Sequence, residues 1–280
     1  MSDPLFVKHR SPSGYTYTEP DGVGMFRIDG LSAVPGIEHC FSARSGGVST
    51  GPFESMNLSF TREAERENVV RNYRLFCRAA DIPAESLVLD SYEHGSTVRA
   101  VDRSDCGRGF TRPPLSPCDG LVTDDPLVTL STGHADCMAF FAVDPVRRCI
   151  GLAHAGWRGA LARIGKNLLE SLRAHYGADP SRVVAAVGPS ICPACFEVGP
   201  EVVEQFRAAF PGEDLYTVHP ATGKTHIDLW RVAELQFLEA GVLPEHIFLS
   251  GVCTVEDDRL FSYRGARGPT GGMAAFLRLV

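Results

Sequence analysis

The sequence of 280 residues predicts a single α/β domain of the α+β kind, built as a sandwich around mixed sheets. Apolar runs bounded by turn residues are mixed with amphipathic helices, without a regular strand–helix–strand alternation. Hydrophobic residues make up 44% and charged residues 22% of the chain, which is ordinary for a folded globular protein. The sequence also shows no internal repeat. We therefore expect one domain over residues 25–280, preceded by an irregular arm over residues 1–24.

Residues 1–118 contain one predicted helix and one predicted strand. Residues 1–24 are rich in Pro, Gly, Ser and Asp and have no sustained period, which predicts an irregular arm. Residues 63–80 place apolar groups three and four positions apart, as an amphipathic helix does. The segment SLVLD that follows indicates a short strand. Residues 102–118 are rich in Arg, Pro and Gly and indicate a long loop.

Residues 120–280 contain most of the predicted strands. The segment GLVTDDPLVTLSTGHADCMAFFAVDP has the apolar runs of buried strands, and CIGLAHAGWRG indicates a strand that ends in a glycine-broken turn. A helix is expected over residues 160–175. Further strands are predicted at RVVAAVGP, at HIFLSGV and at the C-terminus. Helices are predicted at EVVEQFRAAF and at LWRVAELQFLEAGV, the latter ending at Gly241.

Charge and hydropathy exclude several classes of partner. The formal net charge of -7 argues against a surface that neutralises nucleic-acid phosphates or anionic lipid. The sequence has no run approaching the roughly 20 apolar residues of a membrane helix, and its first residues have no apolar signal-peptide core. We therefore expect a cytoplasmic monomer or small homo-oligomer that binds neither nucleic acid nor membrane.

The nine cysteines are odd in number and irregularly spaced, which favours reduced thiols over a disulfide framework. Cys192 and Cys195 form a C-x-x-C, a spacing found in redox pairs and in half of a zinc site. The sequence contains no second C-x-x-C to complete such a site. Chance or local packing is therefore the preferred interpretation of this pair.

Three residues in glycine-flanked turns or at predicted strand ends are candidate metal ligands: His94, Cys137 and His154. Two imidazoles and one thiolate suit a borderline-soft ion such as zinc, and three protein ligands leave a fourth position open for water or substrate. The three are separated by 43 and 17 positions, so the spacing alone does not establish that they meet.

Two other interpretations of these residues stay open at the level of the sequence. Each residue has an ordinary structural explanation: a turn histidine, a core histidine bonded to backbone, and a small buried cysteine. Alternatively, Cys137 is a nucleophile and His154 its base, which would make the protein a cysteine hydrolase. A metal site needs His94 as a ligand, whereas the dyad does not.

Basic residues in glycine-rich turns form a second candidate group: Arg44 in SARSGGVS, Arg158 in GWRG and Arg264 in SYRGARG. In such turns a guanidinium and backbone amides can converge on an anion such as phosphate. Asn57 in SMNLS could add a neutral hydrogen-bond partner, although a turn-forming asparagine explains it equally well.

From about Arg44 to the C-terminus, the chain resembles the laccase-domain family. The motifs that carry the resemblance are SARSGGVS with MNLS, the EHG turn, DGLVT, ADC, HAGWRG, VGPSICPACFEVG, HIDL and FSYRGARGPTGG. The family is also described as multicopper polyphenol oxidases and is now mainly regarded as purine nucleoside phosphorylases with adenosine deaminase activity. Its fold is a single α/β sandwich, distantly similar to toxin-type cysteine hydrolases.

The resemblance implies that His94, Cys137 and His154 bind the metal, with zinc preferred over copper. A copper-dependent polyphenol oxidase is the weaker alternative, because one such site lacks the several coppers needed to reduce dioxygen. By resemblance, Arg44, Asn57 and Arg264 line the pocket that contacts phosphate or nucleoside. The implied substrates are adenosine, inosine and related purine nucleosides together with inorganic phosphate.

Asp136 adjoins a predicted ligand and is a candidate catalytic residue, either orienting a neighbour or carrying a proton. A buried structural aspartate explains it equally well. The sequence also departs from the family's motifs, with Tyr92 in place of a usual Gln and His134 in place of a common threonine. The usual proline after ADC is absent, and Gly272 stands in place of an arginine. These departures affect the expected substrate pocket and leave the three ligands in place.

Overall fold

Fifteen strands form three sheets in the computed structural model, which describes residues 4–280. The strands are β1 (Tyr15–Thr18), β2 (Met25–Ile28), β3 (Ile37–Ser42), β4 (Leu87–Leu89), β5 (Val98–Ala100), β6 (Gly120–Thr123), β7 (Thr129–His134), β8 (Met138–Asp144), β9 (Cys149–Ala155), β10 (Val184–Val187), β11 (Glu197–Val198), β12 (Tyr216–Val218), β13 (Thr225–Ile227), β14 (Ile247–Leu249) and β15 (Met273–Leu279). The first sheet has the order β1-β2-β3-β15-β7-β4, and the second has the order β14-β10-β8-β9-β6-β5. A small third sheet has the order β11-β13-β12.

Seven α-helices accompany the sheets within the described residues. They are α1 (Asp29–Ser32), α2 (Arg66–Ala79), α3 (Trp157–Leu161), α4 (Ile164–Tyr176), α5 (Pro200–Ala209), α6 (Leu229–Glu239) and α7 (Tyr263–Ala266). Short 3₁₀ segments lie at Pro4–Phe6, Pro20–Gly22, Gly51–Phe53, Ala84–Ser86, Arg103–Asp105, Pro180–Arg182 and Pro244–His246. Across residues 4–280, none of the helices has both the length and the apolar character needed to cross a bilayer.

The two large sheets pack face to face, with helices on their outer faces. Successive side chains of strand β8 point to opposite faces of the second sheet, and both faces are covered. Phe141 packs between the sheets, whereas Phe140 packs on the side of α4 and α6. On the outer face of the first sheet, Phe76 of α2 stacks on Phe276 of β15 with ring centroids 4.8 Å apart. Each such fully buried side chain contributes roughly 1.5–3 kcal/mol of transfer free energy. The predicted α+β sandwich is thus confirmed as four layers, helix–sheet–sheet–helix.

The register of β8 and β9 positions two of the predicted ligands. These strands are antiparallel, with Met138 opposite Ala155 and Ala139 opposite His154. Cys137 immediately precedes β8 and therefore lies at the same end of the strand pair as His154. Ala139 opposes His154, and Cys137 lies two residues before Ala139 on the same face, so Cys137 and His154 are diagonal neighbours. Such neighbours lie roughly 7–8 Å apart along the sheet, close enough for their side chains to reach one ion.

The region predicted to be an irregular arm requires a correction. Of its 24 residues, 1–3 lie outside the described part of the chain, and Tyr15–Thr18 forms β1, which pairs antiparallel with β2 at the edge of the first sheet. The YTYT segment alternates aromatic and β-branched residues, which suit a strand even between Pro- and Gly-rich turns. His9 also belongs to the fold, because its ring and backbone nitrogens both bond to the carboxylate of Asp228 at the start of α6.

Helix boundaries differ from the predictions at two places. The helix expected over residues 63–80 spans Arg66–Ala79. The helix expected over residues 160–175 is divided into α3 and α4, because Arg163 between them has a left-handed conformation with φ of 63°. A left-handed residue cannot continue an α-helix, so the chain changes direction there.

Candidate metal centre and adjoining cavity

The structure brings His94, Cys137 and His154 together. One donor atom from each residue lies within 4.8 Å of the others. His94 is exposed in the turn after β4, Cys137 is half-buried before β8, and His154 is buried in β9. Three predicted ligands that are distant in sequence therefore meet at one end of the second sheet.

Asp119 connects the two histidine segments through hydrogen bonds. Its carboxylate accepts the backbone N–H of Glu93 at 3.2 Å, and its backbone carbonyl accepts the N–H of His154 at 2.7 Å. Burial is the largest cause of the raised pKa of the Asp119 carboxyl. Because this aspartate holds both the turn of His94 and the strand of His154, it fixes their separation.

An unsatisfied nitrogen supports metal binding at this place. His154 Nδ1 is buried and has no hydrogen-bond partner among the described residues, and the nearest carboxylate oxygen, Oδ1 of Asp119, is 3.8 Å away. A buried polar atom without a partner costs about 1–3 kcal/mol, which a bound ion or a water would relieve. The donor set of two imidazoles and one thiol fits a borderline-soft ion such as zinc.

Burial favours the neutral forms of Cys137 and His154 in the absence of an ion. Together with the neighbouring charge of Asp136, it raises the pKa of Cys137 to about 12. It lowers the pKa of His154, an effect reinforced by the two nearby histidines. A metal ion binds the thiolate, so binding at neutral pH must release a proton from Cys137.

The turn after β9 has room only for a glycine at position 156. A Cβ at this position would lie 3.1 Å from Cδ2 of His94 and 3.2 Å from Sγ of Cys137. The backbone of Gly156 has φ of -72°, so the residue is not required for its conformational freedom. It is required because two ligand side chains pass directly over it.

His134, whose role the sequence left open, packs beside Cys137 and His154. Its Nδ1 donates to the carbonyl of Cys137 at 3.1 Å, and its Nε2 accepts from the hydroxyl of Thr132 at 2.8 Å. Burial lowers its pKa to about 3, so the ring is neutral, as this pair of bonds requires. Its ring lies 5.4 Å from that of His154, and the ring of Tyr92 lies 4.3 Å from the same imidazole.

A cavity of about 580 Å³ opens beside His94 and Cys137. Trp157, Phe196 and Tyr263 provide aromatic surface, and Arg62, Arg158 and Arg264 provide positive charge. The guanidinium of Arg158 lies 4.2 Å from the ring centroid of Trp157, and that of Arg62 lies 5.5 Å from that of Tyr263. This combination suits a ligand with a flat ring and an anionic group.

Asp136 is committed to structural hydrogen bonds. One carboxylate oxygen accepts from the hydroxyl of Thr254 at 2.6 Å, and the other accepts from the backbone N–H of Arg264 at 2.7 Å. The residue has a left-handed backbone with φ of 82°, which turns the chain into Cys137. Asp136 therefore joins the turn before Cys137 to Thr254 and to the start of α7.

Among the predicted substrate contacts, Arg264 lines the cavity, whereas Arg44 and Asn57 do not. The guanidinium of Arg44 donates twice to the carbonyl of Glu54, at 2.9 and 3.1 Å. Asn57 is fully buried, and its amide bonds to Glu63 and to the backbone N–H of Gly272. Both side chains hold neighbouring loops together, because buried or bent loops need partners for their backbone groups.

Sequence reasoning missed several residues of the site, among them Asp119, Tyr263 and Arg62. Asp119 and Tyr263 lie inside the quoted motifs DGLVT and FSYRG, and their closeness to candidate residues was a usable signal. Arg62 has no such signal, because it stands in a charged segment before α2 where exposed arginines are common. Only the folded chain brings it to the cavity.

The C-x-x-C, interpreted from the sequence as chance or local packing, lies against two residues from a distant segment. The structure places Cys253 and Glu256 against Cys192 and Cys195, with one donor atom from each of the four within 4.8 Å of the others. Cys253 and Glu256 stand some 60 positions further along the chain, so no short motif revealed this proximity.

The fold and the first cluster define a class: a layered α/β sandwich with a candidate transition-metal centre beside an open cavity. A family model described as multi-copper polyphenol oxidoreductase laccase matches residues 38–280. The chain therefore belongs to this family, as its motifs predicted.

Curated relatives and a solved structure agree with this membership. The chain is 37% identical over 258 residues to a purine nucleoside phosphorylase of Deinococcus radiodurans, covering 92% of this chain and 94% of the relative. It is 32% identical over 243 residues to adenosine deaminase RL5 of an unknown prokaryotic organism, covering 85% and 92%. The crystal structure of YlmD from Geobacillus stearothermophilus matches with a TM-score of 0.88 at 32% identity, covering 96% of this chain and 99% of that one.

Proposed function

We propose that this protein is a zinc-dependent purine nucleoside phosphorylase that acts on adenosine, inosine and related nucleosides and also deaminates adenosine. The observation that carries the proposal is the position of His94, Cys137 and His154 beside a cavity lined by aromatic rings and guanidinium groups. The names of the relatives, purine nucleoside phosphorylase and adenosine deaminase, support the same two activities.

His94, Cys137 and His154 would hold the ion and leave one tetrahedral position open. When bound, zinc would supply Lewis-acid activation of the water that replaces the amino group at C6 of adenosine. In the net reaction adenosine and water give inosine and ammonia. Copper would also suit these donors, and elemental analysis of the purified protein would identify the bound metal.

The aromatic and basic residues of the cavity would bind the nucleoside and phosphate. Trp157 and Tyr263 offer surfaces on which a purine can stack. Arg264 donates to the carbonyls of Cys195 and Glu197 through Nη1, and its Nε and Nη2 have no hydrogen bonds to other described residues. These groups, with the guanidinium of Arg62, would orient phosphate and balance its charge.

Phosphorolysis transfers the ribosyl group from the base to phosphate. The bond between C1′ and N9 breaks, a phosphate oxygen bonds to C1′, and the purine leaves with the bonding electron pair and takes up a proton. Fixed positive charge near the phosphate favours this step because it aligns the nucleophile before reaction. Asp136 contributes by fixing the backbone of Arg264 at the start of α7.

The cysteine-hydrolase alternative uses Cys137 and His154, which are adjacent in the structure. A nucleophilic cysteine needs a thiolate, and burial raises the pKa of Cys137 to about 12. This environment favours a thiol that ionises when a cation binds over one that is ionised for attack. The copper-dependent oxidase alternative requires several coppers at one centre, whereas this cluster offers three donors to a single ion.

Product analysis of the purified protein, with and without phosphate, tests the proposal. Adenosine should give adenine and ribose 1-phosphate only when phosphate is present, and inosine and ammonia in either case. Elemental analysis of the Cys137→Ala, His154→Ala double variant should show the loss of about one ion per chain relative to the wild type. Formation of oxidised phenols without any nucleoside product, or an undiminished metal content, would contradict the proposal.

A further inference from the structure

A second group of metal donors surrounds the C-x-x-C turn between β10 and β11. The group consists of Cys192, Cys195, Cys253 and Glu256, and all three cysteines are free thiols. Glu256 Oε1 lies 3.4 Å from Sγ of Cys192 and 3.7 Å from Sγ of Cys195. Two cysteines and a C-x-x-E segment that are distant in sequence thus present four donors to one point.

Backbone hydrogen bonds fix both halves of this group. The N–H groups of Cys195 and Phe196 each donate at 3.0 Å to the carbonyl of Cys192, which forms a tight turn that directs both thiols to one side. In the other half, the N–H of Thr254 donates to the carbonyl of Ser190 at 3.1 Å, joining the two segments next to Cys253. The backbone N–H of Cys192 points at Sγ of Cys253 at 3.4 Å, as outer-sphere donors to metal-bound thiolates do.

The separations fit a single tetrahedral ion. A zinc–sulfur bond of about 2.3 Å places ligand atoms roughly 3.8 Å apart at the corners of a tetrahedron. The two measured sulfur–oxygen separations are 3.4 and 3.7 Å, and no pair exceeds 4.8 Å. A cubane iron–sulfur cluster attaches each thiolate to a different iron and needs a wider cage. A disulfide would use two of the three thiols and gives no reason for the carboxylate.

We propose that Cys192, Cys195, Cys253 and Glu256 form a second metal site, which binds one structural zinc ion or a similar borderline-soft divalent ion. Four protein ligands fill a tetrahedral coordination shell, which is the pattern of structural rather than catalytic zinc. Glu256 is exposed and borders a surface pocket of about 450 Å³, so the ion can enter and leave from solvent.

The second ion would brace the wall of the cavity without touching substrate. Arg264 donates to the carbonyl of Cys195 at 3.1 Å, and Thr254, next to Cys253, donates to Asp136 at 2.6 Å. Cys195 and Thr254 lie in the two segments that the four ligands would hold together. The site is therefore a positioning device for Arg264 and Asp136, and its metal content is independent of the activity assigned to the first centre.

Metal analysis of the Cys137→Ala, His154→Ala double variant tests this site on its own, because that variant lacks the first centre. We expect about one zinc ion per chain in the double variant and about two in the wild type. Loading with Co²⁺ should give thiolate-to-cobalt charge-transfer absorption that persists in the double variant. Absence of metal and of this absorption in a double variant that retains its circular dichroism would overturn the proposal.

Substitutions in the second site keep the test valid if the double variant misfolds. Cys195→Ser and Glu256→Gln should each weaken binding of the second ion, while Cys106→Ser is the matched control because Cys106 is half-buried outside both clusters. Loss of ion from the first two variants and not from the control supports the site. A metal content unchanged in all three, or alkylation under non-reducing conditions that finds a disulfide among Cys192, Cys195 and Cys253, would refute it. One ion in both the wild type and the double variant would support this site and count against the first centre.

Discussion

Replacement of Gly156 by Ala should disturb the metal centre through a single methyl group. The backbone of Gly156 has φ of -72° and ψ of 171°, which alanine adopts without strain. The new Cβ would lie 3.1 Å from Cδ2 of His94 and 3.2 Å from Sγ of Cys137. Any effect on metal binding must therefore come from contact with the two ligands.

The size of the effect follows from these distances. Non-bonded heavy atoms are optimally about 3.5–4.0 Å apart, so the ligands would have to move by roughly 0.3–0.9 Å. Metal–ligand distances tolerate deviations of about 0.2 Å. We expect metal affinity to fall roughly 10- to 100-fold, as with other changes that misplace a ligand. Overpacking should also cost about 1–3 kcal/mol of unfolding free energy.

Competition with a chromogenic chelator measures the affinity, and urea unfolding measures the stability. Gly188→Ala is a matched control, because its Cβ would meet Ala139 and Phe141 at 3.2 and 3.3 Å in the core and no ligand of the first centre. We expect the control to lose stability while keeping its metal. If Gly156→Ala binds metal as tightly as the wild type and turns over nucleoside normally, the placement of His94 and Cys137 over this glycine is incorrect.

Three other predictions address the ligands, the anion and the fold. His94→Ala should abolish nucleoside turnover together with metal binding at the first centre, whereas the dyad alternative predicts that activity survives and that a thiol reagent labels Cys137. Arg264→Ala should raise the Michaelis constant for phosphate and lower phosphorolytic efficiency on the order of tenfold to a few hundredfold, while deamination suffers less. Arg44→Ala should alter stability and leave the Michaelis constant for phosphate unchanged. If steady-state kinetics show that Arg264→Ala loses phosphorolysis and deamination equally, the assignment of Arg264 to phosphate is contradicted. Burial lowers the pKa of His39 to about 4. Between about pH 6.5 and pH 4 the imidazole is therefore protonated in the unfolded chain and neutral in the folded one. The free energy of unfolding should fall by about 3 kcal/mol as the pH decreases through this range. Urea unfolding of His39→Gln should show a flatter pH dependence, and an unchanged one would rule out this residue as the cause.

Local patterns in the sequence were sufficient for the elements that carry the first centre. The apolar run of CIGLAHA predicted a buried strand, and the glycine after it predicted a turn, so His154 was expected at a strand end, which is where β9 places it. The polar break in TGHADCM likewise predicted Cys137 at a strand end or turn, and β8 begins at the next residue. Such predictions succeed because strand periodicity and turn chemistry depend on residues close together in the chain.

Local patterns failed where a residue's role depends on its partners. Arg44 stands in a glycine-rich turn that resembles an anion site, yet its guanidinium bonds to a carbonyl of a neighbouring loop. Nothing in the sequence indicated whether that carbonyl or a phosphate would be its partner. The N-terminal segment gave a similar error, because Pro and Gly on either side concealed the short strand β1.

The sequence by itself determined that this chain folds as an α+β sandwich and that His94, Cys137 and His154 are candidates for one centre. Only the tertiary structure decided that their donor atoms meet, that Arg62 reaches the cavity, and that Cys253 and Glu256 join Cys192 and Cys195. The physical reason is that apolar periodicity specifies which face of an element is buried, whereas contacts between segments some 60 residues apart depend on how those faces pack.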